Sequence, residues 1–429
     1  MPHTPISRRK ALQSAVAAPL IIPGSALGLN GATPPSDRIT LGGLGIGGRG
    51  TTDLRSFLAQ PDVQMLAICD VRNERREAVK SMADQKNGNR DCAMYSDQEE
   101  LWARRDIDAV LIATGDRWHT LLATMTAKAG KDVYCEKPCS MTIAESRHLA
   151  DTFQRLGRIY QAGTQRRNGI NFNKVYQLAH TGKLGKLHTL HAEAGPGERW
   201  APLTTHNWLP EEPLPPKQVL DWDRWLGPAP WRPYHPDYVR GRWRGYFDFH
   251  GGGILEWGSH TIDLCSWVGH LDETAPIEYI PSGMGAISPY SIHCRYANGT
   301  KLVIRDKGFM GLGSCHFRVE GDAGWAETAD SGKIEVSENL RNEDLAVTRE
   351  QASEATTRHV RDFLDCVKSR KQARSNALAA AQAHITAHAA YIAFQLGRKL
   401  TFDPATDTFI NDNEANRMRS RAMREPWRI

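Results

Sequence analysis

A glycine-rich run near the start of the chain constrains the fold most. Six of the nine residues from 42 to 50 are glycine, and they directly follow the apolar run Ile39-Thr40-Leu41. Gly45-x-Gly47-x-x-Gly50 matches the GxGxxG pattern of a dinucleotide-binding strand–turn–helix, and an overlapping match starts at Gly43. Glycine permits the tight turn and lets backbone N–H groups approach a pyrophosphate. We predict a phosphate-binding turn that consists of Gly45, Gly47, Gly48, Arg49 and Gly50.

An acidic residue follows the second predicted strand. Val63–Ile68 is apolar, and Asp70 stands 20 residues beyond Gly50. A carboxylate at this place binds the hydroxyls of the adenosine ribose and repels a 2′-phosphate. Asp70 therefore favours NAD over NADP, although Arg72 could accommodate a phosphate.

Apolar strands and helical segments continue to alternate as far as residue 162. The predicted elements are strand 107–113, helix 120–129, strand 133–134, helix 144–156 and strand 159–162. Such alternation is typical of a doubly wound parallel sheet. We predict a Rossmann domain over residues 39–162.

Glu136-Lys137-Pro138 follows the predicted strand 133–134. Open α/β sheets place their chemistry at the carboxyl ends of strands. Lys137, next to a proline that restricts its backbone, is a candidate donor aimed into a crevice. Taken alone, the same tripeptide is also typical of a solvated turn.

Length, charge and cysteine spacing exclude several classes of protein. A chain of 429 residues is long enough for two domains, and a net charge of +5 gives no argument for nucleic-acid binding. The eight cysteines show no CxxC pair, so neither a zinc ribbon nor a disulfide framework is indicated. No apolar run reaches the ~18–20 residues of a membrane span.

The first 38 residues resemble an export signal followed by a linker. Ser7-Arg8-Arg9-Lys10 precedes a modest apolar stretch, and Ala26-x-Gly28 is a possible cleavage site. The alternative is a disordered basic N-terminus in a cytoplasmic protein. A twin-arginine signal would send the folded protein, with its cofactor, to the periplasm.

The segment 251–263, Gly-Gly-Gly-Ile-Leu-Glu-Trp-Gly-Ser-His-Thr-Ile-Asp, is the second candidate chemical centre. Glu256 and His260 are four residues apart and would share one face of a helix, with Asp263 nearby. Histidine takes up a proton near neutral pH, and a neighbouring carboxylate can fix its tautomer. The pair could instead be structural. A metal site from His250, Glu256 and His260 is disfavoured because no further ligand has suitable spacing.

The remainder, residues 163–429, alternates apolar and polar residues between Gly and Asn turns. This pattern predicts a C-terminal α+β domain with a large, open, mostly antiparallel sheet. Eight of the twelve tryptophans lie between Trp200 and Trp267. Their rings could stack on sugars or could pin a long loop to the body.

Taken together, these motifs resemble the glucose–fructose oxidoreductase/inositol dehydrogenase (Gfo/Idh/MocA) family. The resemblance is carried by Gly-x-Gly-Gly-Arg-Gly at 45–50, by Ala113-Thr114-x-Asp116-x-Trp118-His119 and by Ala129 to Pro138. It implies that Lys137 lies beside the nicotinamide and hydrogen-bonds the reacting hydroxyl, and that His260 is the general acid/base. Glu256 departs from the aspartate that the family more often has.

The resemblance extends to the other predicted site residues. Cofactor contacts are expected from Thr114, His119, Glu136, Lys137 and Gln165. Substrate contacts are expected from Lys137, Arg166, Trp257, His260 and Asp263. The predicted catalytic residues are Lys137, His260 and Glu256, and no metal is expected.

The resulting hypothesis is an NAD(P)-dependent oxidoreductase that acts on a secondary hydroxyl of a sugar, glycoside or cyclitol. Because the periplasm lacks a free NAD pool, an exported enzyme would recycle a tightly bound cofactor. Alternatives are an NAD-dependent glycosidase, which oxidises and then eliminates, and a non-catalytic sugar-binding protein. A homo-oligomer through the C-terminal sheet, dimeric or tetrameric, is expected from the resemblance.

Overall fold

The computed structural model describes residues 33–195, 208–282, 290–306 and 311–429. The predicted twin-arginine signal and Trp200 lie outside these ranges. None of the helices in the described part of the chain combines the length and apolarity that crossing a bilayer requires.

The first sheet has six parallel strands in the order β3-β2-β1-β4-β5-β6. The strands are β1 (Ile39–Leu44), β2 (Val63–Cys69), β3 (Ala93–Tyr95), β4 (Ala109–Ile112), β5 (Asp132–Cys135) and β6 (Tyr160–Ala162). The helices among them are α1 (Gly48–Leu58), α2 (Asn73–Asn87), α3 (Gln98–Trp102), α4 (His119–Lys128) and α5 (Ile143–Leu156). β4 and β5 are buried throughout because helices cover both faces. The predicted doubly wound sheet is confirmed, and its strand order reverses between β1 and β4, where such folds open a crevice.

The second sheet has nine strands in the order β13-β12-β11-β7-β10-β9-β8-β14-β15. Its strands are β7 (Leu187–Glu193), β8 (Glu278–Ser282), β9 (Ser291–Arg295), β10 (Lys301–Arg305), β11 (Phe317–Gly321), β12 (Gly324–Thr328), β13 (Ile334–Val336), β14 (Leu400–Asp403) and β15 (Thr408–Phe409). All described pairings are antiparallel except β7 with β10. Ile292 and Cys294 of β9 are buried and their neighbours are not, as expected for a sheet with one covered face. The predicted mostly antiparallel sheet is confirmed.

The helices of this half lie around the sheet and along the first domain. They are α6 (Ile170–His180), α7 (Trp222–Leu226), α8 (Pro236–Val239), α9 (Gly253–Glu256), α10 (Gly258–Val268), α11 (Arg349–Ser353), α12 (Ala355–Ser369), α13 (Ala377–Leu396) and α14 (Asn413–Arg417).

The alanine-rich helix α13 joins the two halves of the molecule. It packs against α5 of the first domain and α10 of the second. His384 on this helix accepts the Cys139 backbone N–H at its Nε2 atom (3.0 Å), and the same nitrogen lies 3.0 Å from the Ser259 hydroxyl. Burial lowers the pKa of His384 to about 4, so that the ring stays neutral. One buried side chain thus connects the loop after Lys137 with the helix that carries His260.

Candidate active site

A cavity of about 230 Å³ lies where the carboxyl ends of β4 and β5 meet α9 and α10. Its lining comes from both domains: Arg49, Ala113, Thr114, Asp116, His119, Glu136, Lys137, Gln165, Arg166, Trp243, Arg244, Glu256, Trp257 and His260. The structure therefore brings most of the predicted site residues into one cavity.

The glycine-rich turn has the geometry that a pyrophosphate requires. Gly45 has φ +65°, and a Cβ there would collide with the Thr114 side chain. A Cβ on Gly47 or Gly48 would meet no protein atom within 4 Å, so the space beside them is open to a ligand. α1 begins at Gly48, and its first N–H groups have no partner within the helix. These residues fit the phosphates of a dinucleotide.

Asp70 lines a second cavity, of about 90 Å³, beside the same turn. Its Oδ1 accepts the Arg72 N–H at 2.9 Å, and burial raises its pKa to about 6. The Arg72 guanidinium pairs with Glu74 and donates to the Val239 carbonyl, so it is already engaged. This second cavity lies at the carboxyl end of β2, where Rossmann folds bind the adenosine half of a dinucleotide.

Glu136 is held by its neighbours on the cofactor side of the larger cavity. Its Oε1 accepts from the Gln165 amide at 2.6 Å and lies 3.4 Å from Arg49 Nε. Arg49 also pairs with Asp53 at 2.7 Å, whose pKa is raised by burial and by Glu136. A Cβ on Gly163 would collide with the Glu136 carboxylate, which explains the glycine at that position.

His119 and Thr114 lie at the carboxyl end of β4. The His119 ring nitrogens lie 2.7 Å from the Pro138 carbonyl and 3.2 Å from the Thr114 carbonyl. His119 therefore braces the two loops while one edge faces the cavity. The Thr114 hydroxyl is buried and has no hydrogen-bond partner within the described residues, as expected where a ligand completes the site.

Lys137 is held by Glu256. Its Nζ donates to Glu256 Oε1 and to the Glu256 carbonyl, both at 2.9 Å. The other carboxylate oxygen, Oε2, lies 2.9 Å from His250 Nε2. His250 Nδ1 accepts the Gly252 backbone N–H at 3.2 Å, so the ring proton of a neutral His250 sits on Nε2 and is donated to Glu256. Burial opposes ionisation of Glu256, but Lys137 and His250 hold its pKa well below the usual range.

Asp116, His250 and Glu256 place three possible metal ligands within 4.8 Å of one another. A metal on His250 Nε2 would need the lone pair of that nitrogen and would move the ring proton to Nδ1. There the proton would face the Gly252 N–H. Lys137 also already neutralises the Glu256 carboxylate. This group of side chains is part of a hydrogen-bond network. His260, the third ligand of the metal site considered from the sequence, does not belong to this group.

His260 contacts arginine instead of the carboxylate predicted for it. Its Nε2 lies 3.0 Å from Arg166 Nη1, and because a guanidinium only donates, the imidazole nitrogen accepts. Arg166 is fixed by two bonds to Asp330, of 3.0 and 2.7 Å. Burial, with Arg166 and Lys137 close by, holds the pKa of His260 well below its ordinary value.

The predicted pairing of Glu256 with His260 on one helical face was therefore wrong. The chain forms two helices here, and Trp257 separates α9 from α10. Glu256 at the end of α9 turns toward Lys137 and His250, whereas His260 lies in the first turn of α10.

Asp263 does not line the cavity. It is buried, and both of its oxygens accept from Arg167 at 2.8 Å. Arg167 also pairs with Asp272 at 2.7 Å. This buried ion pair joins the loop after β6 to α10, which is a structural role. The sequence could not reveal it, because the partner lies almost 100 residues away.

Sequence reasoning missed Asp116, Trp243 and Arg244 as cavity residues. Arg244 stacks on the Trp243 ring (4.4 Å) and reaches 3.8 Å from Glu256 Oε2. Their only signal is a Trp-Arg pair shortly before the glycine run at 251–253. Among the described tryptophans of the Trp-rich stretch, Trp243 and Trp257 line this cavity, whereas Trp222 and Trp225 belong to an aromatic cluster that pins the loop.

Comparisons with known proteins agree with this architecture. Residues 39–164 match the NAD-binding Rossmann-fold model of the Gfo/Idh/MocA oxidoreductase family, and residues 169–429 match the model of its C-terminal alpha/beta domain. The chain is 32% identical over 151 residues to a myo-inositol 2-dehydrogenase of Thermotoga maritima, which covers 35% of the chain and 43% of that protein. It is 30% identical over 205 residues to a glycosyl hydrolase family 109 protein of Saccharopolyspora erythraea, which covers 43% and 44%. The chain thus aligns with less than half the length of these curated relatives.

Solved structures share the fold across both domains. Myo-inositol 2-dehydrogenase from Lactobacillus plantarum has a TM-score of 0.61 at 17% identity, covering 85% of this chain and 100% of that one. The WlbA dehydrogenase from Bordetella pertussis, solved with NADH and UDP-GlcNAcA, has a TM-score of 0.62 at 16% identity, covering 85% and 98%. The chain therefore belongs to the Gfo/Idh/MocA oxidoreductase family, with an NAD-binding Rossmann domain followed by the family's C-terminal alpha/beta domain.

Proposed function

We propose that this protein is an NAD-dependent oxidoreductase acting on a secondary hydroxyl of a sugar, glycoside or cyclitol. The observation that carries the proposal is the position of Lys137. It lies at the carboxyl end of β5, held by Glu256 at 2.9 Å, in one cavity with Thr114, Glu136 and His260. When bound, NAD accepts a hydride from the carbon that bears the hydroxyl.

The side chains divide the remaining work. The Lys137 ammonium donates to the substrate oxygen and stabilises negative charge that develops there. The neutral His260 has its Nε2 lone pair available to take the hydroxyl proton once the substrate oxygen replaces Arg166 at that nitrogen. Glu256 holds the Lys137 side chain in place, and His250 orients Glu256.

Arg244, Trp243 and Trp257 are the proposed substrate-contacting residues on the C-terminal side. A flat ring packs against the apolar face of a sugar, and an arginine donates to its hydroxyl groups. Asp70 supports NAD over NADP, because its carboxylate lines the adenosine pocket and the Arg72 guanidinium is paired elsewhere.

Export by a twin-arginine signal, retention of a recycled cofactor and assembly through the C-terminal sheet remain proposals from the sequence. An exported enzyme without a free NAD pool must return the cofactor to its starting state on the protein. That would require either a second sugar as acceptor or a reaction with no net oxidation.

The second candidate is a glycosidase of that redox-neutral kind. It is favoured by the family 109 glycosyl hydrolase relative, which is 30% identical over 205 residues. In this reading a ring hydroxyl is oxidised, the acidified neighbouring C–H loses its proton and the glycosidic group leaves. Water then adds to the resulting double bond, and the hydride taken up in the first step reduces the carbonyl again. His260, the proposed base, would serve both the dehydrogenase and the glycosidase reaction.

The test starts from untreated protein. Denaturation followed by mass spectrometry identifies any bound nucleotide, and a panel of sugars, cyclitols and aryl glycosides is then scored for NADH absorbance and for released aglycone. Net NADH supports the dehydrogenase, and aglycone release without NADH supports the glycosidase. Protein that binds NAD but converts none of the panel favours a sugar-binding protein.

Three alanine variants locate the chemistry. Lys137→Ala and His260→Ala are expected to lose turnover while retaining NAD. Lys333→Ala, which removes an exposed lysine paired with Glu335 on β13, is the matched control and should behave as the wild type. Undiminished turnover in both cavity variants contradicts the assigned roles.

A further inference from the structure

A segment of the C-terminal half closes the adenosine pocket of the Rossmann domain. The pocket is lined on one side by Asp70 and Gln98 and on the other by Arg224 and Trp225. We propose that residues 216–232, here called the clamp segment, form the outer wall of this pocket and control the rate at which the dinucleotide leaves. The inference rests on the proposed function in that the ligand is a cofactor with an adenosine half.

The clamp segment is joined to the chain just after Asp70 by backbone pairing. Asn73 N–H donates to the Val219 carbonyl at 3.1 Å, and Asp221 N–H donates to the Val71 carbonyl at 3.0 Å. These bonds flank an isolated antiparallel bridge between Arg72 and Leu220. The loop that follows Asp70, the proposed ribose-binding carboxylate, is thus hydrogen-bonded to the clamp segment.

Side chains close the other edge of the pocket. Arg224 forms two bonds with Asp97, of 2.9 and 2.5 Å, and a third with Gln98 at 2.9 Å. From the Rossmann side, Arg117 Nε donates to the Leu226 carbonyl at 3.0 Å, and its guanidinium stacks on the Trp225 ring at 4.1 Å. The pocket is therefore bounded by contacts that span the two domains.

The chain's C-terminal tail supports the clamp segment from behind. Arg424 N–H donates to the Pro228 carbonyl at 2.9 Å, and the Arg424 guanidinium pairs with Asp223 at 2.6 Å. Trp427 packs edge-on against Trp118, with ring centroids 4.9 Å apart. A nucleotide seated between Asp70 and the clamp segment can leave by that side only when these bonds break together, which makes its release slow.

A reversible cross-link tests this directly. The two hydrogen bonds make Arg72 and Leu220 a non-hydrogen-bonded antiparallel pair, whose Cα atoms lie about 4.5 Å apart. This falls within the ~4.4–6.8 Å range of disulfides. All eight native cysteines are buried and free, and the double variant Arg72→Cys/Leu220→Cys adds a pair at disulfide distance. Oxidation should lock the clamp segment and reduction should free it.

The measurement is the NAD that remains on the loaded protein at intervals after rapid desalting. Oxidised double variant is expected to release NAD at least about tenfold more slowly than the same protein after reduction, a barrier difference of about 1.4 kcal/mol. Wild-type protein with and without reductant is the control and should show one rate. Equal rates in the oxidised and reduced variant, or faster release when oxidised, overturn the inference.

Two single variants test the opposite direction. Arg224→Ala removes the bonds to Asp97, and Asp97→Asn removes the ion pair while an amide still caps α3, where Asp97 accepts the Glu99 N–H. Both should release NAD faster, by about tenfold for Arg224→Ala. The matched control, Arg242→Ala, breaks an ion pair with Asp237 in the same Trp-rich region but outside the pocket, and should leave the rate unchanged.

The outcomes separate this inference from the proposed function. Unchanged release in both Arg224→Ala and Asp97→Asn overturns the clamp role, whatever the substrate turns out to be. Protein that binds no NAD overturns both. Altered release in a protein that oxidises no sugar supports the clamp role and counts against the oxidoreductase.

Discussion

Replacing Glu256 by glutamine is the sharpest test of the catalytic geometry, because both of its neighbours are donors. Lys137 Nζ has three donor hydrogens and no acceptor, and His250 presents its Nε2–H since Nδ1 accepts the Gly252 N–H. A carboxylate satisfies both. The amide of a glutamine has a single oxygen, so its NH₂ group must face one of the two donors.

The expected cost follows from this mismatch. Losing a hydrogen bond between charged or buried groups costs about 1.5–3 kcal/mol, and the Glu256 side chain is only 14% exposed, so water compensates little. If the lost hydrogen bond stabilises the transition state, kcat/KM drops about 10- to 150-fold. NAD affinity should be unchanged, because Glu256 lies on the C-terminal side of the cavity.

The assay is kcat/KM for Glu256→Gln with the first sugar or cyclitol that the wild type oxidises, together with NAD titration. Glu335→Gln, another carboxylate with a lysine partner at the protein surface, is the control. Glu256→Asp keeps the charge but shortens the side chain by one methylene, and its kcat/KM should fall between those of the wild type and Glu256→Gln. Activity of Glu256→Gln within twofold of wild type would refute the claim that this carboxylate positions Lys137.

Three further changes have defined outcomes. Burial opposes ionisation of Asp62, but two basic side chains of α12 hold its pKa at about 2, below the 3.8 of the unfolded chain. Because these partners are partly exposed and screened by solvent, the pairing contributes about 1 kcal/mol of stability. That stability is present above about pH 3.8 and is lost as pH falls through about 2, so Asp62→Asn should lower the urea midpoint at pH 7, and an unchanged midpoint would count against the pair. NMR titration should show that His260 is still neutral at the pH where an ordinary histidine is half protonated. In Arg166→Gln the pKa of His260 should rise toward the ordinary value, and identical titrations of variant and wild type would disprove the contact. Gly163→Ala should displace the Glu136 carboxylate and weaken NAD binding, as measured by calorimetry, and wild-type affinity would contradict the close packing.

Much of the fold could be predicted from the sequence because the strands of the first domain are short, apolar and separated by clear turns. α2 is a harder case: its buried residues are Arg76, Val79 and Ala83, which form too weak an apolar stripe to predict a 15-residue helix. β3 has three residues and none is fully buried. Local patterns fail where an element depends on contacts with distant residues.

The same distinction applies to the site. The position of Lys137 and Glu136 follows from strand order, since carboxyl ends of parallel strands meet at one edge. The partner of Glu256 does not follow from spacing, because the break at Trp257 turns the carboxylate toward the lysine. The clamp segment was equally hidden, since its partners Asn73, Asp97 and Arg117 lie over 100 residues earlier.

His384 fixes the distance between the two segments that carry Lys137 and His260. One imidazole nitrogen contacts Cys139, two residues after Lys137, and Ser259, one residue before His260. The two domains therefore cannot hinge apart between Lys137 and His260 without breaking at least one of these buried contacts. Trp243 and Arg244 line the cavity from the C-terminal side, and the enzyme should select substrates by shape in a preformed slot. Over evolution, positions 259 and 384 should change together, because their side chains contact each other, whereas position 139 takes part through its backbone N–H.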